Sequence, residues 1–285
     1  MSSVTVAICT GMKQDLNDLL GSLIQTTCEE ILVVGTDGGH FPRDGHFCDP
    51  RVKTLYAPYA LNAKRNASLQ AATGDILAFV DDDAVIGPGW LDAMKEGFGS
   101  AEVGIVTGPS LLSADATLWQ RSAQLAMGFP PYSRRRYNPY QEGVVEWHHV
   151  IGANFAFRRV ALEQTGGWPL QFPSHGEDMA IAHAMARNGW KIYYTPRAFV
   201  YHPPHSFWRQ VVQIHRWGRA AKRLARAGIQ RPPRDGAYAL SIPLLMLFSA
   251  AYLLGEWKES WIRDGDVRLL AFCKKRVAKV RAHRD

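Results

Sequence analysis

Two kinds of apolar spacing alternate along the first third of the chain. Val4–Thr10, Ile31–Val34 and Ile76–Val80 are short, nearly unbroken apolar runs, each closed by glycine or by acidic residues. Runs of that length between turn residues predict strands buried on both faces, as in a parallel sheet. Asp15–Cys28 instead carries Leu16, Leu19, Leu20, Leu23 and Ile24 on one helical face, and Asn62–Ala72 is a helix pattern stopped by Gly74. With a short strand at Arg51–Leu55, the order is β-α-β-β-α-β, a mainly parallel sheet with right-handed crossovers.

The middle third is more broken. Pro88 and Gly89 open a helix through Phe98, and Val103–Thr107 is another strand. Asp115 suits the N-cap of a helix reaching about Met127, followed by a loop over 130–140. Gly143–Ile151 is expected to be extended, and Arg158–Gln164 to be a short helix stopped by Gly166 and Gly167. Asp178 takes an N-cap position before a helix over Met179–Asn188, with Gly189 as its stop. Lys191–Thr195 and Ala198–Tyr201 are short strands split by Pro196.

Past His202 the character changes. Ser206–Ala227 is helical and strongly basic, Arg231–Arg234 is a break, and Ala237–Gly255 holds no charge over about 19 residues, close to the roughly 20 that span a bilayer. That apolar stretch fits a single span, a helix lying in a membrane interface, or a helix buried against the rest of the protein. The expected organisation is a catalytic domain over 1–205, divided near 110, and a helical, basic and apolar C-terminal region over 206–285.

Charge and cysteine usage narrow the class. The net charge of +7 is concentrated at Arg134–Arg136, between Arg209 and Arg234, and from Lys274 to Arg284. Such density predicts anionic partners, whether phosphates, nucleic acid or an anionic membrane face, although no nucleic-acid recognition motif accompanies it. Cys9, Cys28, Cys48 and Cys273 are scattered without a CxxC pair, which disfavours a disulfide scaffold and a zinc knuckle. No basic-then-apolar leader precedes Val4, so no signal peptide is expected.

The chemistry gathers where Ile76–Val80 runs into Asp81, Asp82 and Asp83. Ligands of open α/β sheets bind just outside the carboxyl ends of strands. Three adjacent acids there repel one another unless a cation lies between them, which hard divalent metals exploit. By itself this feature also fits a solvated acidic turn.

Its surroundings carry a resemblance. Ile8-Cys9-Thr10, then Lys64-Arg65-Asn66 with Gly74-Asp75 and Phe79-Val80-Asp81-Asp82-Asp83, are similar to the opening strand and the A-R-N … G-D … F-(L/V)-D-x-D block of the family 2 glycosyltransferases. Gly152-Ala153-Asn154 with Arg158-Arg159 and Gly166-Gly167-Trp168 resemble a second block, and Gly176-Glu177-Asp178 with Gly189-Trp190 and Pro196 to His202 a third. Their shared order over three quarters of the chain resembles inverting enzymes of that family with the GT-A fold, a Rossmann-like sheet flanked by helices.

The resemblance implies roles residue by residue. Asp81 and Asp83 would hold a divalent cation, Mn²⁺ or Mg²⁺, bridging the phosphates of a nucleotide-diphosphate sugar, with His202 as a third ligand and His205 as its alternative. Thr10, Asp37, Arg65, Asp81 and Asp82 would bind the nucleotide sugar, UDP-linked first, GDP- or dTDP-linked as alternatives. The second strand departs from the family's Asp-Asp-Gly-Ser ending: Gly35-Thr36-Asp37-Gly38 leaves the base open. Asp178 would be the general base for an acceptor hydroxyl, its basicity raised by Glu177, and Asn154, Glu177, Arg216 and Trp217 would lie on the acceptor side. Gln213-Ile214-His215-Arg216-Trp217 is similar to the Q-x-x-R-W signature of processive synthases. Their flanking transmembrane bundle is not evident here, so single addition of a hexosyl unit is expected. The implied location is the cytoplasmic face of the cell membrane, peripheral or single-span, or else the cytoplasm. A nucleotidyltransferase, or a non-catalytic membrane or nucleic-acid binder using the basic C-terminal third, is the alternative. The first wants a Gly-rich loop with a lysine after the first strand, which Gly11-Met12-Lys13 poorly supplies.

Overall fold

The computed structural model describes residues 2–11, 16–112, 116–117, 142–172, 175–203, 206–230, 250–255 and 257–258. Its centre is an eight-stranded sheet in the order β3-β2-β1-β4-β9-β6-β10-β8, built from β1 Val4–Cys9, β2 Glu30–Thr36, β3 Val52–Ala57, β4 Ile76–Asp81, β6 Val103–Thr107, β8 Gly143–Val145, β9 Asn154–Arg158 and β10 Lys191–Tyr194. The four N-terminal strands pair in parallel, β1 lying between β2 and β4 with Ile8 opposite Val33 and Val80. β9 runs antiparallel between β4 and β6, and β8 closes the far edge antiparallel to β10. The expected mainly parallel α/β sheet is therefore present.

Alternation along the buried strands feeds two cores. Val4, Val6 and Ile8 with Ile31, Val33, Ile76, Ala78 and Val80 meet the apolar faces of α1 (Leu16–Ile24) and α3 (Trp90–Gly97). Ala7, Leu32, Val34, Leu77 and Phe79 point the other way, into a layer that includes α4 (Arg159–Gln164) and α5 (Glu177–Arg187). Helices on both faces explain why these strands are continuously apolar in sequence. Between β3 and β4 runs α2 (Leu61–Ala71), and Gly74 then lets β4 start close beside β1: a Cβ there would lie 2.6 Å from the Thr5 backbone nitrogen.

Local expectations need three corrections. Gly143–Ile151 is not one extended segment, because a 3₁₀ turn at Trp147–His149 follows β8. Asp178 is not an N-cap, since α5 begins at Glu177 and Gly176 is the cap, with a φ of 84° that glycine adopts without strain. The final strand is Val200–His202, named β11, which forms a small second sheet with β5 (Val85–Ile86) and β7 (Ser110–Leu112).

The basic segment forms α6, Phe207–Arg226. Helical residues Ala251 and Tyr252 pack on its Ile214 and Ala221, and a Cβ on Gly255 would fall 2.0 Å from the His215 carbonyl oxygen. The end of the uncharged stretch thus lies against α6; 231–249 and 259–285, with the basic clusters at Arg134–Arg136 and Lys274–Arg284, lie outside the described residues. No helix among the described residues is long and apolar enough to cross a membrane.

Candidate active site

The three acids at the end of β4 separate by environment. Asp82 is buried and accepts a 2.7 Å hydrogen bond from the Thr10 hydroxyl at the end of β1. Asp81 and Asp83 are half-buried, and His202 reaches them from β11. The antiparallel pairing of Tyr201 with Val85 brings His202 to this corner. Its Nε2 lies 3.1 Å from Asp83 Oδ1 and 3.7 Å from Asp81 Oδ2, and its Nδ1 is 3.0 Å from the Pro203 carbonyl oxygen. Burial opposes a charge on the imidazole, but hydrogen bonds and charge from Asp81 and Asp83 outweigh it and push the pKa up to about 10. One ligand atom from each of the three residues lies within 4.8 Å of the others. Two carboxylates and an imidazole form a donor set that fits a divalent cation.

These residues line one wall of a cleft of about 540 Å³. The other wall is one face of α6: Trp208, Arg209, Val212, Gln213 and Arg216. Positions 209, 212, 213 and 216 fall on one helical stripe, so α6 aims two guanidinium groups at an acidic corner. Trp217 does not line this cleft. It packs beside Val211 against the cluster of Ile214, Ala221, Ala251 and Tyr252, opposite to the expected acceptor contact.

Asp178 sits in the first turn of α5, its Oδ1 accepting from the Met179 backbone N–H at 2.9 Å. Gly152 packs on it: a Cβ there would lie 3.0 Å from Asp178 Oδ2. Next in the chain, the Ala153 carbonyl accepts from the Asp81 backbone N–H at 3.3 Å. One step of backbone therefore separates the carboxylate of α5 from the metal-type cluster on β4. Behind it, His175 holds a φ of 63° and its Nε2 lies 3.1 Å from Gln213 Oε1, tying this loop to α6. Burial lowers the His175 pKa.

Three residues expected at the ligand make interior contacts. Arg65 is buried, pairs with Glu177 Oε1 at 3.0 Å, donates to the Gly152 carbonyl at 3.1 Å, and stacks 4.4 Å from the Trp168 ring centroid. Glu177 is likewise buried, with Oε2 unpartnered; burial and the Asp178 charge push its pKa up against the pull of Arg65. Neither side chain opens onto the cleft lining. Asn154 is fully buried: its Oδ1 accepts from Trp90 Nε1 at 2.8 Å and its Nδ2 donates to the Ala198 and Pro109 carbonyls. It fastens β9 to α3 and the small sheet. Asp37 is exposed just past β2, with its backbone N–H bonded to the Ala57 carbonyl.

Sequence reasoning passed over Lys64, Trp208 and Arg209. The helical stripe through Arg216 was the available signal for Arg209; for Trp208 there was none. His205 lies outside the described residues.

Comparison with known proteins agrees with this geometry. The family model described as "Glycosyltransferase like family 2" matches residues 50–220, more than half of the chain. The chain is 26% identical over 211 residues to the O-antigen biosynthesis protein RfbC of Myxococcus xanthus, covering 66% of this chain and 16% of that protein. It is 26% identical over 215 residues to the succinoglycan biosynthesis protein ExoM of Rhizobium meliloti, covering 70% and 66%. The chain thus spans less than two thirds of the length of either relative. Among solved structures, the mannosyltransferase PcManGT of Pyrobaculum calidifontis, in complex with GDP-Man and Mn²⁺, superposes with a TM-score of 0.57 at 17% identity, covering 96% of this chain and 80% of that one. S. aureus TarS 1–349 in complex with UDP-GlcNAc gives 0.58 at 15% identity, covering 88% and 72%. These two likenesses speak for the GT-A fold.

Proposed function

This chain belongs to the glycosyltransferase-like family 2, and from that premise we propose that it is a metal-dependent inverting enzyme transferring a sugar from a nucleotide-diphosphate donor to a hydroxyl acceptor. The observation carrying the proposal is the convergence of Asp81, Asp83 and His202 on a cleft faced by Arg209 and Arg216. UDP is the preferred nucleotide, with GDP and dTDP as alternatives; solved neighbours include complexes with UDP-GlcNAc and with GDP-Man. The acceptor belongs to a growing glycan, polysaccharide or lipid-linked sugar, in keeping with biosynthetic relatives.

In this reading Asp81, Asp83 and His202 would hold the cation, the imidazole favouring Mn²⁺ over Mg²⁺. Bound there, the cation would offset the negative charge that develops on the departing diphosphate. Arg216, and Arg209 beside it, add fixed positive charge on the same cleft without reorganising during the reaction. Asp178 takes the proton of the acceptor hydroxyl, whose oxygen attacks the anomeric carbon opposite the nucleotide. The bond from that carbon to the diphosphate oxygen breaks, the nucleotide leaves with the electron pair, and the configuration inverts. Arg65 and Glu177 act from behind, by tying the first turn of α5, which carries Asp178, to the Gly152 carbonyl.

The location we propose is the cytoplasmic membrane face, peripherally bound. Arg219, Lys222, Arg223 and Arg226 extend the basic character of α6, and Leu253, Leu254 and Trp257, in the segment that packs on it, are exposed. Basic and apolar groups together suit anionic lipid. Donor binding measured by calorimetry with Mn²⁺ and with EDTA tests the central claim. Binding lost in EDTA and regained with Mn²⁺ is expected; equal affinity in both would remove Asp81, Asp83 and His202 as the cation site.

A further inference from the structure

Two left-handed residues in a row lead into α5. His175 has a φ of 63° and Gly176 a φ of 84°. Gly176 adopts this without strain, and its bare backbone lets α6 come close: a Cβ there would lie 3.2 Å from the Ala220 Cβ. His175 has no such freedom. Among the described residues it is the one non-glycine residue with a positive φ. A side-chain-bearing residue keeps that conformation only where surrounding contacts hold it, and such residues gather at functional sites.

The contact that holds it comes from α6. Its Nε2 lies 3.1 Å from Gln213 Oε1, an acceptor, so the ring donates in its Nε2–H form. Burial lowers its pKa; Arg216 and Arg223 of α6 act in the same direction, while Asp178 and the bond to Gln213 oppose them. The imidazole is therefore neutral at pH 7, and its one N–H goes to Gln213. Gln213 shares the cleft-facing stripe of α6 with Arg209 and Arg216, across from Asp81, Asp83 and His202. One to three turns further on, Ala220 and Leu224 of α6 crowd Gly176, and Leu224 packs with Ala180 of α5. Residues 175 and 176 are thus wedged between the helix that carries Asp178 and the helix that carries the two guanidinium groups of the cleft.

We infer that His175 is a positioning residue, whose bond to Gln213 keeps the Asp178 carboxylate in register with the cleft wall of α6. The residue touches neither donor nor acceptor and takes no proton in the reaction. It makes the start of α5 follow α6, so that the base and the charges that face the diphosphate are placed as one unit. The inference rests on the reading of Asp178 as the base, and it adds the device that aims it. A misplaced base costs rate without loosening the bound donor, about 10²-fold for a full ångström and less for a partial shift.

The test measures nucleotide release from UDP-, GDP- and dTDP-sugars by the full chain with Mn²⁺, water serving as the acceptor. Asparagine tolerates left-handed backbone, but its amide stops short of the imidazole Nε2 position. His175→Asn should therefore lower kcat by about tenfold and leave donor affinity, read by calorimetry, within about twofold. His175→Gly, which removes the strain as well as the contact, should show the same split. Gln213 also lines the cleft, so the pair is read as a double-mutant cycle with Gln213→Met. The double variant should lose little more kcat than Gln213→Met alone. In an Asp178→Asn background the His175 change should bring no further loss. A lowered melting temperature with unchanged kcat would overturn the inference, because His175 would then be a structural residue only. Losses that multiply in the cycle, or a loss confined to donor affinity, would overturn it too. Full turnover in Asp178→Asn would instead remove Asp178 as the base, and failure of every donor with the wild-type chain would remove the nucleotide-sugar reading.

Discussion

The acidic end of β4 and the start of α5 are built from similar residues and do opposite things. At β4, Asp81 and Asp83 line a cleft and share His202, which reaches them from the small second sheet. At α5, Glu177 turns inward to Arg65 under Trp168, and its charge is spent inside the protein. One residue on, Asp178 lies against Gly152. The two regions show that a carboxylate's role depends on which neighbour neutralises it. At β4 an imidazole on the cleft wall takes that place, whereas at α5 a buried arginine does.

The sharpest way to break the contrast is Asp178→Asn, which keeps the shape and removes the basicity. Transfer should fall by about 10²–10⁴-fold while donor affinity stays within about twofold, as read by steady-state kinetics and calorimetry. Full activity in that variant would transfer the base to another group. Next is Arg65→Ala, which strands Glu177 in the interior. Breaking a buried pair from one side costs about 3–5 kcal/mol, visible as an earlier denaturant midpoint. An unchanged midpoint would show that the Arg65–Glu177 pair does not hold the fold together.

Gly152→Ala acts between the two regions. The added methyl meets Asp178 Oδ2 at 3.0 Å, so the carboxylate must shift by a few tenths of an ångström. Transfer should drop by roughly tenfold, less than the 10²-fold cost of a full ångström's misplacement, with donor affinity nearly unchanged. A loss confined to donor affinity would place Gly152 on the nucleotide side.

The smallest effect concerns pH in metal-free protein. The His202 pKa is raised from 6.5 to about 10 by Asp81 and Asp83, so the folded state holds a proton that the unfolded chain releases earlier. Its contribution to stability is complete below pH 6.5 and is lost as pH rises to about 10. Thermal melts in EDTA should show the wild type exceeding His202→Gln at pH 6, with the gap closing toward pH 10. A gap that widens with pH would reverse the sign of the coupling.

Much of this molecule follows from local pattern. The unbroken apolar runs of Val4–Cys9, Ile31–Val34 and Ile76–Val80 leave a strand no polar face, which requires cover on both sides and hence helices between strands. The chemical types at the site were likewise legible, because three adjacent acids after a buried strand and a histidine after a later one are statements about residue identity. The fold class and the candidate ligands thus belonged to the sequence itself.

What tertiary structure alone decided is which way each side chain faces and what it meets. Lys64 and Arg65 are adjacent in sequence, yet one reaches the Thr10 carbonyl and the other crosses to Glu177, 112 positions away. Asn154, Glu177 and Trp217 carry suitable chemistry for a ligand, but packing against Trp90, Arg65 and the helix at 250–255 turned each of them inward. Asp82 meets the Thr10 hydroxyl, 72 residues earlier, a contact that its two flanking acids do not foretell. Period and composition report on neighbours along the chain, whereas burial and pairing depend on residues brought together by sheet order and helix packing.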